Sequence, residues 1–234
     1  MRDFPRISKI GIELEGGWDT PLPESIMATN WKYDGSVHCI GQWRSGELVS
    51  PPYQSYSFFE KFVRSYYPQV VDSSCGMHIH LSAPIPYYER LIHDEFQPRL
   101  LDFLRLYVKE SVKQGKYYIP GVPKVVDTGF DRLSQRLNNR CTYATTNRPP
   151  IDYQLAANRK MDCRYYATNA CHTLHGTFEI RILPMFDSAE NSLRTIYRML
   201  KFVDRVMRTN IRETGIIADG CISRDVSSPY IVEI

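Results

Sequence analysis

The chain has 234 residues, 43% of them hydrophobic, so it is long enough to bury a substantial core in one domain. Its 29 basic and 26 acidic side chains leave a net charge of +3, which is too small to indicate nucleic acid as the main partner. No apolar run approaches the length of a membrane span. We expect a cytoplasmic protein with reduced thiols, because the chain does not need its six cysteines as staples and starts without an apolar signal stretch.

The predicted elements do not alternate regularly between strand and helix. Strands are predicted over residues 8–17, 31–51 (short strands with turns at Asp34-Gly35 and Ser45-Gly46), 75–82, 163–171 and 175–183. Helices are predicted over 54–66, 87–113 with an interruption near Pro98, 130–139 and 187–209, and loops over 18–30, 115–130 and 145–160. This order predicts a single α+β domain over residues 1–234, with a curved, mostly antiparallel sheet and helices on its convex apolar face.

Three of the predicted strands carry charged or imidazole doublets at a two-residue spacing. The doublets are Glu13 and Glu15, His78 and His80, and Glu179 and Arg181. Successive side chains of a strand point to opposite faces, so each doublet shares one face and its apolar neighbours share the other. Glu is depleted in strands, and adjacent like charges are unfavourable unless a cation compensates them. The pattern predicts that the polar faces line one concave surface that holds divalent metal.

The order of the motifs resembles a known enzyme family. The segments IELEGG, YDGS, GELVSPP, CGMHIHLS, RYYATN and TFEIRIL follow one another within residues 8–183. This order is similar to that of the amidoligase family of the carboxylate–amine ligase superfamily, which is related to glutamine synthetase and glutamate–cysteine ligase. The resemblance implies a glutamine synthetase-like catalytic fold and ATP-dependent formation of an amide or peptide-like bond through an acyl phosphate.

The resemblance also implies which residues bind metal. Glu13, His78 and Glu179 would hold the Mg²⁺ or Mn²⁺ ion nearest the ATP phosphates. Glu15 and Glu47 would hold the ion nearer the substrates. Carboxylate oxygens suit such hard cations, which neutralise the charge that spreads over a transferred phosphoryl group.

Further roles follow from the same resemblance. Arg181 would steady the γ-phosphoryl group, and His80 would contact ATP or the acyl phosphate. Asp34 would bind metal or deprotonate the amine. The remaining candidates for nucleotide or substrate contacts are Arg164, Tyr165, Asn169 and Arg140. The implied partners are ATP, a carboxylate substrate (an amino acid or peptide) and an amine acceptor, without membrane or nucleic acid, and a homo-oligomer is compatible with the sequence.

Other interpretations of the same residues stay open. Asp34 could simply shape an Asp-Gly turn, and Glu47 could be an ordinary turn-flanking residue. An H-x-H motif with a glutamate is also found in metal-dependent hydrolases and cupin-like oxygenases, but here the first following glutamate is Glu89, beyond two prolines. Zinc sets built on Cys75 with His78 and His80, or on the cysteines and histidines of 163–175, fit no standard spacing. The third interpretation is a non-catalytic nucleotide-binding or structural module.

Overall fold

The computed structural model of the chain describes residues 2–39, 44–113, 127–140, 166–169 and 177–208. The strands in these residues are β1 (Lys9–Trp18), β2 (Trp31–Lys32), β3 (Arg44–Val49), β4 (Met77–Ser82), β5 (Thr168–Asn169) and β6 (Phe178–Ile180). The helices are α1 (Glu24–Thr29), α2 (Tyr56–Ser65), α3 (Ile85–Ile92), α4 (Phe96–Lys113), α5 (Gly129–Leu137) and α6 (Ala189–Arg208).

The strands form one open sheet in the order β2-β3-β1-β4-β6-β5. Every neighbouring pair is antiparallel, so the predicted α+β class with an antiparallel sheet is confirmed. The longest strand, β1, lies at the centre and pairs with both β3 and β4. Strands that are far apart in sequence are therefore adjacent in space.

Helices cover the apolar face of this sheet. Ile12 of β1 and Ile79 of β4 are paired and fully buried, as the alternation of apolar and polar residues predicts. Phe96 of α4 packs edge to face on Phe178 of β6, with ring centroids 5.3 Å apart. Burial of each such side chain contributes about 1.5–3 kcal/mol, so this face anchors the sheet and leaves the opposite face available for polar side chains.

Several predicted boundaries agree with the structure. The strand predicted over 8–17 is β1, and the helices predicted over 54–66, 130–139 and 187–209 are α2, α5 and α6. The turn at Asp34-Gly35 is also present, closed by a hydrogen bond from Val37 N to Asp34 O. Of the strand predicted over 163–171, the described part forms a strand at Thr168–Asn169.

Two predictions about local structure were wrong, and the position of a third, the interruption of the long helix, was displaced by a few residues. Ser45 and Gly46 lie inside β3 and pair with Gly17 and Gly16, so they form no turn. The predicted loop over 18–30 contains α1, a helix of six residues, none of which is buried. The long helix breaks between α3 and α4, before Pro98. Pro98 instead stands in the first turn of α4, where its missing N–H has no helical partner to lose.

No helix in the described ranges is long and apolar enough to cross a membrane.

Candidate functional site

The strand register brings the polar doublets together on one face of the sheet. Glu13 of β1 pairs with His78 of β4, and Glu15 pairs with Glu47 of β3. His80 pairs with Glu179 of β6, which in turn pairs with Asn169 of β5. Side chains that face each other across an antiparallel pair have Cβ atoms about 4.5–5.5 Å apart, so contact between these groups follows directly from the pairing.

Three of these residues form a central cluster, defined here as Glu13, His78 and Glu179. Each offers one ligand atom, and the three atoms lie within 4.8 Å of one another. His78 Nδ1 lies 2.7 Å from Glu13 Oε2 and 3.7 Å from Glu179 Oε1. His78 and Glu179 are buried, while Glu13 is half-buried. Two carboxylates and one imidazole thus converge from three strands.

A second group forms an edge cluster, defined here as Glu15, Asp34 and Glu47. Their carboxylate oxygens also lie within 4.8 Å of one another. Glu15 is buried, and its Oε2 accepts a 2.5 Å hydrogen bond from Gly76 N, which fixes the carboxylate. Its Oε1 lies 3.4 Å from His78 Nε2, so the imidazole of His78 touches both clusters. The two clusters are therefore parts of one continuous site.

Electrostatic effects differ between the two clusters. Burial acts to raise the pKa of Glu13, but hydrogen bonds and charge from His78 and His80 outweigh it and hold that pKa well below its usual range. Burial and the neighbouring Glu13 raise the pKa of Glu47 to about 7, despite the attraction of His78 and Lys32. The Lys32 ammonium lies 3.7 Å from Glu47 Oε1 but is largely exposed. The central cluster is thus compensated internally, whereas the edge cluster has excess negative charge.

His78 keeps a net attraction for protons in this setting. Burial alone lowers its pKa, but Glu15 and Glu13 outweigh that effect and raise the pKa above its ordinary value. The imidazole is therefore surrounded by carboxylates that stabilise a positive charge at its position. A metal ion bound to one of its nitrogens would benefit from the same carboxylates.

Arg181 lies beside the central cluster, immediately after β6. Its Nη1 donates a 2.6 Å hydrogen bond to Glu179 Oε1, and the charge of Glu179 raises the arginine pKa against the effect of burial. Its buried Nε–H has no hydrogen-bond partner among the described residues. A buried donor without a partner is costly, so this N–H is suited to binding an anionic group.

His80 and Asn169 complete the rim of the central cluster. His80 Nε2 lies 3.1 Å from Glu13 Oε1, and its Nδ1 lies 3.3 Å from Thr177 Oγ1. Asn169 Nδ2 lies 3.4 Å from Glu179 Oε2. The buried Oδ1 of Asn169 has no donor among the described residues, and a neutral carbonyl oxygen in that position is a suitable ligand for a hard cation.

The remaining predicted site residues differ in how they relate to the two clusters. Asp34 does shape its turn, since Oδ1 accepts hydrogen bonds from Ser36 N and Oγ, yet its carboxylate also belongs to the edge cluster. Arg140 is exposed just beyond α5, and within the described ranges no side-chain contact joins it to either cluster. Arg164 and Tyr165 lie outside the described residues.

Sequence reasoning missed Arg136, a buried arginine on α5. Its Nη2 donates to Cys75 O at 3.0 Å and its Nη1 to Leu183 O at 2.9 Å, which joins the segments flanking β4 and β6. A methyl group on Gly76 would stand 3.1 Å from Glu15 Oε2 and 3.2 Å from His78 Nε2, with Arg136 Nη1 at 3.3 Å. Because Gly76 has no side chain, Glu15, His78 and Arg136 can lie close to its backbone. A single arginine on an amphipathic helix gives no signal of this role in the sequence.

The donor set of both clusters consists of carboxylate oxygens and imidazole nitrogen. Such donors suit Mg²⁺ or Mn²⁺ better than a soft metal. The zinc set of Cys75 with His78 and His80 is not assembled, because the Cys75 thiol contacts Cys39 and Asp72 instead.

Comparison of the chain with models of protein families, with curated proteins and with solved structures gives no match. The functional assignment therefore depends on the side chains and on their positions in the sheet.

Proposed function

We propose that this protein is an ATP-dependent carboxylate–amine ligase with a glutamine synthetase-like catalytic fold. The observation that carries the proposal is the junction of the central and edge clusters on one face of the sheet, with His78 touching both. Adjacent acidic sites of this kind are what a phosphoryl-transfer enzyme needs to hold two hard cations side by side. The motif order that resembles the amidoligase family supports the same assignment.

The residues at the junction fit a metal pair. Glu13, His78 and Glu179 would hold the ion nearest the ATP phosphates, and Glu15 and Glu47 would hold the ion nearer the substrates, with Asp34 beside them. When bound, Mg²⁺ or Mn²⁺ supplies charge neutralisation for the phosphoryl group that leaves ATP. The unpartnered Asn169 Oδ1 next to Glu179 is consistent with a further oxygen ligand at the first ion.

Arg181 would bind the transferred phosphoryl group. Glu179 holds one nitrogen of the guanidinium, which leaves the buried Nε–H to donate to a phosphoryl oxygen. Charge-assisted hydrogen bonds from arginine to phosphate are strong and directional. A fixed donor of this type stabilises the transition state more than the ground state when the phosphoryl charge spreads.

The proposed reaction has two balanced steps. An oxygen of the carboxylate substrate attacks the γ-phosphorus, the bond to the ADP oxygen breaks, and an acyl phosphate forms. The amine nitrogen then attacks the acyl carbon, and the bond to the phosphate oxygen breaks. Asp34 in the edge cluster accepts the proton that the amine loses, while His80, held by Glu13 and Thr177, contacts the acyl phosphate.

The test is a search for condensation products. The protein is incubated with ATP, Mg²⁺ and pooled amino acids or peptides, and both phosphate release and product mass are measured. We expect phosphate release only when a carboxylate and an amine are present together, with a product whose mass equals their sum less one water. Phosphate release without any condensation product would indicate a hydrolase. A melting temperature that does not rise with millimolar ATP and Mg²⁺ would indicate a module that binds no nucleotide.

A further inference from the structure

A third group of metal-ligand side chains lies apart from the two acidic clusters. Cys39, Asp72 and Cys75 each offer one ligand atom, and these atoms lie within 4.8 Å of one another. Cys39 follows the Asp34 turn, and Asp72 and Cys75 precede β4. Cys75 is fully buried and Cys39 is half-buried, and neither forms a disulfide. Two thiols and a carboxylate are the donors that zinc prefers.

Two of the distances between these atoms match those around a tetrahedral zinc ion. Two thiolates at about 2.3 Å from one zinc ion stand about 3.8 Å apart, and a thiolate and a carboxylate oxygen stand about 3.5–3.6 Å apart. The Sγ atoms of Cys39 and Cys75 are 3.8 Å apart. Cys75 Sγ is 3.5 Å from Asp72 Oδ1. Two of the three ligand pairs therefore already have the spacing of a tetrahedral zinc site, and the third pair, Cys39 and Asp72, lies within 4.8 Å.

Neighbouring groups hold these ligands in place. Asp72 Oδ1 accepts hydrogen bonds from Ser74 N at 2.8 Å and from Ser74 Oγ at 2.6 Å. The same Ser74 hydroxyl accepts a hydrogen bond from His38 N at 3.2 Å, which ties the Cys39 segment to the Asp72–Cys75 segment. Hydrogen bonds that orient ligands in this way are typical of protein metal sites, and their loss commonly weakens metal affinity.

We propose that Cys39, Asp72 and Cys75 bind a zinc ion that is separate from the ions of the proposed ligase site. On binding, the two thiols lose their protons, so one Zn²⁺ replaces two H⁺. The described residues supply three ligands, and water or another donor takes the fourth tetrahedral position. The ion would link the segment that follows Asp34 to the segment that leads through Gly76 into β4, which carries His78. This inference is independent of the proposed function, since neither cluster contributes a ligand.

The test uses the full chain with reduced thiols, Co²⁺ as a spectroscopic substitute, and elemental analysis for zinc. We expect about one zinc ion per chain that excess Mg²⁺ does not displace, because magnesium has little affinity for thiolates. Co²⁺ should give thiolate-to-cobalt charge-transfer absorption. Cys39→Ser and Cys75→Ser should abolish this absorption, and Asp72→Asn should weaken metal affinity by at least about tenfold.

Two controls separate this site from the central cluster and from Cys221. Glu179→Ala should keep the thiolate absorption, because it removes only a ligand of the central cluster. Cys221→Ser should keep it too, which excludes that cysteine as the source. If the buried Cys75→Ser variant does not fold by circular dichroism, the half-buried Cys39→Ser variant decides the outcome.

Three results would overturn the zinc site. One is a wild-type chain with reduced thiols and no thiolate absorption. Another is absorption that persists in the folded Cys39→Ser variant. The third is recovery of the chain with a disulfide between Cys39 and Cys75 and no bound metal, which thiol counting and peptide mass analysis detect.

Discussion

The central and edge clusters occupy the same face of one sheet but reach different electrostatic states. In the central cluster, His78 and His80 contact Glu13, and Arg181 contacts Glu179, so each carboxylate has a cationic or hydrogen-bonding partner. In the edge cluster, the carboxylates face one another, and the nearby Lys32 is largely exposed. Burial, followed by the charge of the neighbouring Glu13, raises the pKa of Glu47 to about 7.

The contrast indicates different needs for a cation. The central cluster is preorganised by its own hydrogen bonds, so a metal ion there would have to displace protons and hydrogen bonds that its carboxylates already have. The edge cluster brings three carboxylates together beside a largely exposed Lys32, so a divalent cation would relieve its repulsion directly. Mutations at the two clusters should therefore differ in their effects on stability as well as on activity.

The largest expected effect is the loss of ATP turnover when the central cluster is broken. Glu13→Ala and Glu179→Ala should each reduce turnover by at least on the order of a hundredfold, because both remove charge from the phosphoryl-transfer site. The melting transition should remain cooperative, since the apolar core is untouched. Phosphate release under saturating ATP measures the effect.

A matched control is available on the surface. Glu95→Gln removes a carboxylate that is 55% exposed and lies just before α4, 3.2 Å from Arg99, and it should leave turnover unchanged. Full activity in both Glu13→Ala and Glu179→Ala would contradict the assignment of metal ligands to the central cluster.

Arg181→Ala should have the next largest effect. Turnover should fall by roughly tenfold to a hundredfold while the affinity for ATP changes much less, because the guanidinium acts mainly on the transferring phosphoryl group. Comparison of kcat with the Kd for ATP separates these two quantities. Arg181→Lys should recover only part of the rate, since lysine cannot bind Glu179 and a phosphoryl oxygen with one planar group. An unchanged rate in Arg181→Ala removes this residue from the mechanism.

The two clusters should respond oppositely to charge removal in metal-free protein. Glu47→Gln should raise the free energy of unfolding by on the order of 1 kcal/mol, because it removes a charge that burial and the neighbouring Glu13 make unfavourable. Glu13→Gln should lower it by about 1–3 kcal/mol, because it weakens the charged hydrogen bonds to His78 and His80. Urea unfolding with a chelator present measures both changes. If the free energy of unfolding changes in the same direction in both variants, the proposed electrostatic difference between the clusters is wrong.

The smallest predicted effect comes from Gly76→Ala. The added methyl group would press on Glu15, His78 and Arg136 at 3.1–3.3 Å, so these groups must move by a few tenths of an ångström. We expect a stability loss of about 1 kcal/mol or less, together with weaker Mn²⁺ binding at the junction of the clusters. Normal Mn²⁺ affinity in this variant would show that the close packing around Gly76 does not position the ligands.

The sequence predicted the polar face of the sheet but could not predict its full composition. Alternation along β1 and β4 was sufficient to place Glu13, His78 and His80 on one face, because side-chain direction in a strand depends only on residue parity. Strand order and register depend on long-range packing, so the periodicity of the sequence does not predict them. The contacts of Arg136 arise from tertiary packing of α5, so no local pattern could indicate them.

The local errors have similarly specific causes. Ser45-Gly46 has turn chemistry, but Gly46 is needed in β3 because a Cβ there would stand 2.5 Å from Lys32 O. Pro98 is a helix breaker in most positions, yet it is tolerated in the first turn of α4. In both cases the residue type correctly indicates a special backbone position. The tertiary structure determines whether that position is a turn, a strand or the start of a helix.

The proposed pair of cation sites is tested most directly by the binding of Mn²⁺ to the full chain with and without ATP. The electron paramagnetic resonance signal of free Mn²⁺ measures this binding. We expect ATP to convert weak binding into tight binding of at least two ions per chain, and we expect Glu13→Ala to lose the ion linked to ATP. Mn²⁺ binding that is indifferent to ATP, or that is unchanged in Glu13→Ala, would contradict the proposed pair of sites.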